Sequence, residues 1–543
     1  MLGINWKLHD TAAALVDGEG KVWALAEEER FTRVKHAWDS YPRNAARFCL
    51  STAGIDWQDL DVVAIGWDLP KWGVWGENDK EQLYRSLFGP EAVGHPDAPE
   101  LSFVEHHLAH AYSAFYASGF KQAGVLVTDG AGEQESISIY SADAGGLKLK
   151  RRWPRGYSLG SMYEAATRLL GFGYLDAGKT MGLAPYGMAE ASALLPFGDV
   201  VGDETGNLHT PFGLVPESTY PEVTEAWRKH LAARFGTVTH EGDQLHTDPV
   251  AVQIAASVQR TVEETIRHLH AETVSLTGVP EVCISGGVAL NCVANGRLPE
   301  PLYVPPFPHD SGVALGAAWS ESPPAPGKLL DSPYLGRAIV PGRELDELRE
   351  DGFLVTDFDP SKTADLLTAG SIGAVAEGRS EVGPRALCHR SIMAMPHSTS
   401  VRDTINRIKG REMWRPLAPV TLPEYARRLW PDQGRRELYM VGNTVISAHA
   451  QEVMPASAHV DGTTRPQVLP PGQAPVAESL LTEFAARGLP PVLVNTSFNG
   501  RGEPIVDTAG DAVRAFRALG LDFLVLGEHL VHSPTRSAPS QAE

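Results

Sequence analysis

Over the first 150 residues the apolar positions fall in short runs, each closed by an acidic or glycine turn. "LGINW" (2–6) is followed by "TAAALVDGEGKVWALAEEE" (11–29), two apolar runs around Asp-Gly-Glu-Gly. That pattern predicts a strand and then a β-hairpin. The arrangement recurs at 124–150, where "GVLVT" ends in Asp129-Gly130 and a hairpin turning at "ADAGG" follows. Further along, the spacing becomes helical. "SMYEAATRLLG" (161–171) offers Ser161 and Glu164 as a capping box. Residues 248–278 form a long amphipathic pattern ending at a C-cap glycine. "PEVCISGGVALNCVANGRL" (280–298) reads as strand, glycine turn and helix, and "LYVPPFPHDSGVALGAAWS" (302–320) as strand, Pro-rich loop and small-residue helix.

The repetition of strand, acidic strand end and hairpin reads as an internal duplication. It predicts an α/β protein whose first part has the two-lobed fold of the actin, hexokinase and Hsp70 ATPases. In that fold, turns from both lobes face a nucleotide cleft. "ESPPAPGK" (321–328) marks a domain boundary. The domains expected are 1–325 and 345–535, the second an α/β domain. Its strands "SIGAVAEG" and "PPVLVNTSFNG" flank a basic stretch around 385–415. The tail from Ser533 is expected to be disordered.

Composition narrows the function classes. The 543 residues carry a formal net charge of -20, which argues against nucleic acid as a partner. The four cysteines, Cys49, Cys283, Cys292 and Cys388, form no CxxC pair, so neither a zinc ribbon nor a disulfide framework is expected. No apolar run reaches the length of a membrane span, and His9 and Asp10 come too early for a signal peptide. A cytoplasmic protein without membrane contact is the expectation.

Two motif matches fail on context. "GYLDAGKT" (173–180) fits the P-loop spacing, but a helical pattern precedes it, and Pro185 and Gly187 discourage a helix after it. Lys179 can still reach a phosphate from a loop. "GYSLG" (156–160) fits a nucleophile elbow, yet reads better as a turn and cap before a helix starting at Ser161.

The chemistry concentrates elsewhere. "VEHHLAHAYSAF" (104–115) holds His106, His107 and His110, so both i, i+3 and i, i+4 pairs share a helix face. Spacing alone leaves open which two could bind a metal. Asp129 at a strand end and Asp310 before a helix add hard oxygen donors, although a turn and an N-cap are ordinary roles for them. Two histidines with one or two aspartates suit Fe(II), Mn or Zn acting as a Lewis acid near phosphate. Gly286 and Gly287 let the backbone approach an anionic ligand at a helix start.

"HHLAHAYSAFYASGF", "VTDGAGE", "GKTMGLAPYG", "SGGVALNCVANG" and "PHDSGVALGAA" occur in that order. They resemble the NodU/CmcH family of O-carbamoyltransferases, whose first domain is Kae1-like. "EGRSEVGPRALCHRSIMA", "INRIKGREMWRPLAP", "HVDGTTRPQ" and "PVLVNTSFNGRGEPIV" resemble that family's YrdC-like second domain. The resemblance implies His106, His110, Asp129 and Asp310 as metal ligands and leaves His107 as a neighbour. It implies that the second domain forms carbamoyl adenylate from carbamoyl phosphate and ATP, with Mg accompanying the ATP. Arg385, Arg415 and Arg465 would clamp the anions, and Asn495 and Ser497 would contact nucleotide. Gly130, Lys179, Gly286, Gly287 and Asn291 would hold the adenylate in the first domain. His9 is the candidate general base, and Asp10 is expected to orient it or to contact the acceptor.

The expected function is carbamoyl transfer to a hydroxyl, on a sugar or polyol of a secondary metabolite such as an antibiotic. Residues 66–100 and 186–247 lie outside the strongest motifs and are expected to select that small-molecule acceptor. A homodimer is left open. The alternatives are a tRNA threonylcarbamoyladenosine-type enzyme and a non-catalytic actin-like ATP-binding regulator. The acidic charge argues against the first, and the full set of His, Asp and Arg motifs against the second.

Overall fold

The computed structural model describes residues 1–188, 210, 218–431 and 434–533. Much of the 186–247 stretch expected to select the acceptor, and the tail after Ser533, lie outside the described residues. The chain divides into two compact units. One comprises Met1–Thr32, His36–Asp331 and Gly434–Arg436, and the other Arg33–Lys35, Ser332–Gln433 and Glu437–Glu543.

The first unit contains two five-stranded sheets. Strands β1 (Leu2–Asn5), β2 (Ala12–Val16), β3 (Val22–Glu27), β4 (Val62–Ile65) and β5 (Glu100–Phe103) run in the order β3-β2-β1-β4-β5. Strands β6 (Ala123–Thr128), β7 (Glu135–Asp143), β8 (Gly146–Pro154), β9 (Val282–Ser285) and β10 (Leu302–Tyr303) run β8-β7-β6-β9-β10. The two orders correspond strand for strand. β1 and β6 each pair antiparallel with the following hairpin strand and parallel with the next strand, β4 or β9. The duplication expected from the hairpins is therefore present, and with it the two-lobed α/β architecture. Every residue of β1 and of β6 is buried. A strand covered on both faces loses the polar alternation, so both read as continuous apolar runs.

Small residues set the distance between elements at the centre of this unit. A methyl group at Gly3 in β1 would collide with the Ala314 carbonyl, and one at Gly316 with the Ala109 carbonyl. The helix Ser311–Glu321 therefore lies at backbone contact with β1 and with the helix His106–Ala117. The long helix Pro249–Thr277 follows the sequence pattern. Asp248 accepts the N–H groups of Val250 and Ala251 at 2.9 Å each, and Gly278 closes the helix at φ +74°.

Two local expectations are corrected. The helix near 160 spans Leu159–Leu169 and is capped by Ser158, whose Oγ accepts the Ser161 N–H at 2.9 Å. Ser161 and Glu164 thus lie inside the helix rather than forming its capping box. After "GYLDAG", helices Ala177–Leu183 and Pro185–Met188 do form. Pro185 opens the second of them, where no backbone N–H is needed. The helix Leu159–Leu169, not a strand, leads into this segment, so it is not a P-loop.

The second unit is built on an eight-stranded sheet. Its strands are β11 (Leu354–Asp357), β12 (Gly373–Ala376), β13 (Arg390–Ala394), β14 (Ala418–Thr421), β17 (Gln467–Val468), β18 (Val492–Ser497), β19 (Phe523–Leu526) and β20 (His529–His532). They run β11-β20-β19-β12-β13-β18-β14-β17, and β15 (Thr444–Val445) pairs separately with β16 (Thr463–Thr464). Alternation along β19 shows both faces covered. Leu524 and Leu526 pack with Val513 and Phe516, while Phe523 and Val525 pack with Leu480 and Phe484. Among the described residues no helix is long and apolar enough to cross a membrane.

Candidate active site

Three segments of the first unit bring four ligand-type side chains together. His106 and His110 occupy the first two turns of their helix, Asp129 follows the end of β6, and Asp310 precedes the helix Ser311–Glu321. All four are buried. The His106 and His110 Nε2 atoms are 3.2 Å apart. Asp129 Oδ2 lies 3.2 Å from His106 Nε2 and 3.9 Å from that of His110, and Asp310 Oδ1 lies 3.5 Å from each.

Outer contacts orient each ligand. His106 Nδ1 donates to the Gly66 carbonyl at 3.1 Å, and its ring stacks on Trp67 at 3.6 Å between centroids. The Ser285 hydroxyl donates to the Pro308 carbonyl at 3.2 Å, so it accepts from His110 Nδ1 at 3.3 Å. Both rings therefore present an Nε2 lone pair to the cluster. Asp129 Oδ1 accepts the Gly287 N–H at 2.7 Å, which leaves Oδ2 facing His106. Gly286 sits at φ +93° with the Thr128 carbonyl where a Cβ would stand, a place only glycine fits. Asp310 makes no cap bond to its own helix, so its carboxylate faces the histidines.

This donor set fits a divalent metal. Ligand atoms about 2.1 Å from an ion stand roughly 3.0–3.4 Å from one another in tetrahedral or octahedral geometry. The closest pairs, at 3.2 Å, and the 3.5 Å pairs to Asp310 lie near that range. Without a cation, burial opposes charge on His106 but the Asp310 and Asp129 carboxylates outweigh it, raising its pKa well above the usual range. Burial lowers that of His110. His107 turns away. Its Nδ1 meets the Ser138 hydroxyl at 2.9 Å, and burial keeps the ring neutral.

His9 stands beside the cluster on the turn between β1 and β2. Its Nδ1 lies 3.0 Å from Asp10 Oδ2 and 3.8 Å from Asp310 Oδ2. Burial lowers its pKa, but Asp310 and Asp10 raise it more, to about 9. Asn5 ties this turn to the metal cluster. Its Nδ2 donates to the His9 and Asp10 carbonyls at 2.9 and 3.1 Å, and its Oδ1 accepts from Trp67 Nε1 at 3.0 Å.

The other candidates of this unit have their own partners. A methyl group at Gly130 would stand 3.1 Å from the Tyr220 ring, and one at Gly160 would stand 2.7 Å from the Gly130 Cα. Lys179 Nζ meets Asp176 Oδ2 at 2.9 Å and lies over the Phe172 ring. Asn291 caps the Ala294 N–H at 3.0 Å and pairs with Gln259 through both ends of its amide.

In the second unit the cationic residues gather around a lysine that the motif reading missed. Lys409 Nζ is almost fully buried and donates to the Ser497 carbonyl, to Ser497 Oγ at 3.2 Å, and to Asn499 O and Oδ1 at 3.1 and 2.8 Å. Burial first, then the Arg411 and Arg415 charges, pushes its pKa well below the usual range. Arg411 also feels the Arg415 and Arg465 charges, and its Nη2 is buried without an acceptor among the described residues. Glu412, 3.6 Å from Arg415, is the nearby counter-charge. Arg385 is half-buried in the loop before β13, and Arg465 lies between β16 and β17. Asn495 is 1% exposed, and its Nδ2 donates to the Ala386 carbonyl and to Gln467 Oε1 at 3.1 and 2.7 Å. So Ser497 joins the lysine, whereas the Asn495 amide nitrogen is engaged within the sheet.

Three residues that orient the first site also escaped the sequence reading. Asn5 and Trp67 look like ordinary residues at strand ends. Glu133 accepts the His106 N–H at 3.0 and 3.2 Å and the Asp68 N–H at 2.8 Å, acting as a cap from a distant loop. Its place in "VTDGAGE", next to Asp129, was the one available signal.

The first unit is thus a duplicated α/β fold with a buried two-His, two-Asp cluster, and the second an α/β fold with a buried cationic cluster. The family model for the carbamoyltransferase N-terminus matches residues 1–72 and 80–319, and that for the carbamoyltransferase C-terminus matches 364–533. The chain belongs to the carbamoyltransferase family and is a carbamoyltransferase. Nodulation protein NolNO of Sinorhizobium fredii is 32% identical over 564 residues, covering 98% of this chain and 80% of the relative. Nodulation protein NolO of Bradyrhizobium diazoefficiens is 35% identical over 450 residues, covering 79% and 78%. Among solved structures, T. kodakarensis HypF matches 61% of this chain and 49% of its own at 12% identity and a TM-score of 0.32.

Proposed function

We propose that the protein is an ATP-dependent O-carbamoyltransferase working through carbamoyl adenylate. The observation that carries this reading is the metal-type cluster with His9 and Asp10 beside it, in a chain of this family. In the second unit, Lys409, Arg411, Arg415 and Arg465 would hold the phosphates of ATP and carbamoyl phosphate, with Arg385 closing the set. Carbamoyl phosphate, ATP and water give carbamoyl adenylate, pyrophosphate and phosphate, with Mg accompanying the nucleotide.

In the first unit, His106, His110, Asp129 and Asp310 would hold Fe(II), Mn or Zn. Such an ion acts as a Lewis acid that stabilises charge on the adenylate phosphate. Gly286 and Gly287 form the turn that holds Asp129, and the Gly130 backbone beside it would border that phosphate. The acceptor hydroxyl, on a sugar or polyol of a secondary metabolite such as an antibiotic, forms its bond to the carbamoyl carbon. The bond from that carbon to the phosphate oxygen breaks and AMP leaves. His9 takes the hydroxyl proton at Nε2, because its Nδ1 faces Asp10. The raised His9 pKa comes from the Asp310 and Asp10 carboxylates beside it, and a cation held by the four ligands would offset that charge.

The test uses the purified chain with carbamoyl phosphate and ATP. Pyrophosphate release that depends on carbamoyl phosphate is expected, followed by a carbamoyl mass increment on one member of a panel of hydroxylated metabolites. Binding of tRNA with no pyrophosphate release would favour the nucleic-acid reading instead.

A further inference from the structure

Two loops beside the candidate site are held in costly backbone conformations. Lys7 and Asp10 on one, and His36, Ala37 and Asp39 on the other, have φ of +91°, +52°, +65°, +39° and +46°. None is glycine, and such strain persists only where surrounding contacts enforce it. Those contacts run directly between the loops. Asp10 N–H donates to the His36 carbonyl at 2.7 Å, Asp39 N–H to that of Leu8 at 2.9 Å, and Thr11 Oγ1 to that of Ala37 at 3.0 Å.

This bracing brings His36 Nδ1 to 2.7 Å from Asp10 Oδ1, while Asp10 Oδ2 holds His9 Nδ1 at 3.0 Å. The other side of His36 is fixed too, because its N–H donates to Glu29 Oε2 at 2.7 Å and Glu29 Oε1 lies 3.4 Å from Arg30 Nε. Asp10, Glu29 and His36 are close enough together to resemble a second metal cluster. His36 hydrogen-bonds both carboxylates, through its ring to Asp10 and through its backbone N–H to Glu29.

We propose that His36 is a positioning residue for carbamoyl transfer. It clamps the Asp10 carboxylate so that the other oxygen fixes the His9 ring with Nδ1–H toward Asp10 and Nε2 toward the acceptor. A base oriented by a hydrogen-bonded carboxylate is a recurrent catalytic arrangement, and here His36 holds that carboxylate. The consequence for turnover rests on the role proposed above for His9, whereas the ring geometry does not.

The test compares His36→Gly with His36→Asn in the full chain. Glycine accepts the left-handed backbone and removes the imidazole. Asparagine also tolerates that conformation and restores an N–H near Nδ1. With ring-labelled histidine, proton NMR of the wild type should show a low-field, slowly exchanging Nδ1–H for His9, assigned by its loss in His9→Gln. That resonance should vanish in His36→Gly and return in His36→Asn. With an acceptor that turns over, kcat should fall roughly 10- to 100-fold in His36→Gly with KM nearly unchanged, and recover in His36→Asn. A His9 resonance that persists unchanged in His36→Gly overturns the proposal, as does a loss expressed in KM alone. If the resonance behaves as expected but the wild type releases no pyrophosphate from carbamoyl phosphate and ATP, the positioning role stands and the carbamoyl-adenylate reading fails.

Discussion

At the scale of single residues, the first site depends on which atom each ligand presents. Ser285 decides this for His110 by accepting its Nδ1–H. Ser285→Ala frees the ring to adopt the other tautomer, and metal affinity should drop about tenfold or more in a competition titration with a chelator. In the second unit, burial pushes the Glu377 carboxyl up to about 7 despite the Val476 N–H that it accepts. The sign follows from proton counts. Between 4.5 and about 7 the folded chain holds a proton that the unfolded chain has released. Stability should therefore fall as pH rises through that window, by on the order of 3 kcal/mol. Glu377→Gln keeps the acceptor for Val476 and removes the charge. Denaturant titrations from pH 5 to 8 should show a decline in the wild type that flattens in the variant, and parallel profiles would contradict this assignment.

At the scale of elements, the helix Ser311–Glu321 sets the site by its closeness to two neighbours. A methyl group at Gly316 meets the Ala109 carbonyl one residue before His110, so Gly316→Ala must push the two helices apart. The melting temperature should fall, with a cost of about 1–3 kcal/mol or more. Bound metal should be lost as well, because Asp310 and His110 ride on the separated elements. A variant that loses stability but retains metal would show that the helix spacing does not set the ligand spacing. The same elements show what the sequence made legible. The hairpins and the 248–278 helix are written in local spacing, which depends only on helix and strand periods, whereas spacing leaves His106, His107 and His110 open and the family resemblance points to His106 and His110. Lys409 carries no such signal. It stands at a helix end, where an exposed lysine is ordinary, and only β18 and its following turn bury it. Glu133 likewise caps a helix far from it in sequence, and the starts of the helices near 160 and 185 depended on caps that short motifs misplace.

At the scale of the whole molecule, the two proposed reactions fall to different units. The cationic cluster should govern adenylate formation alone. Arg411→Ala should lower carbamoyl-phosphate-dependent pyrophosphate release by an order of magnitude or more, while metal content stays at the wild-type level by elemental analysis. The complementary variant gives the most direct test. With His106→Ala, carbamoyl phosphate, ATP and the acceptor, a burst of about one pyrophosphate per chain should appear, and no carbamoylated acceptor should form. Loss of the pyrophosphate burst together with the product, in a variant that remains folded, would contradict the division of labour between the two units.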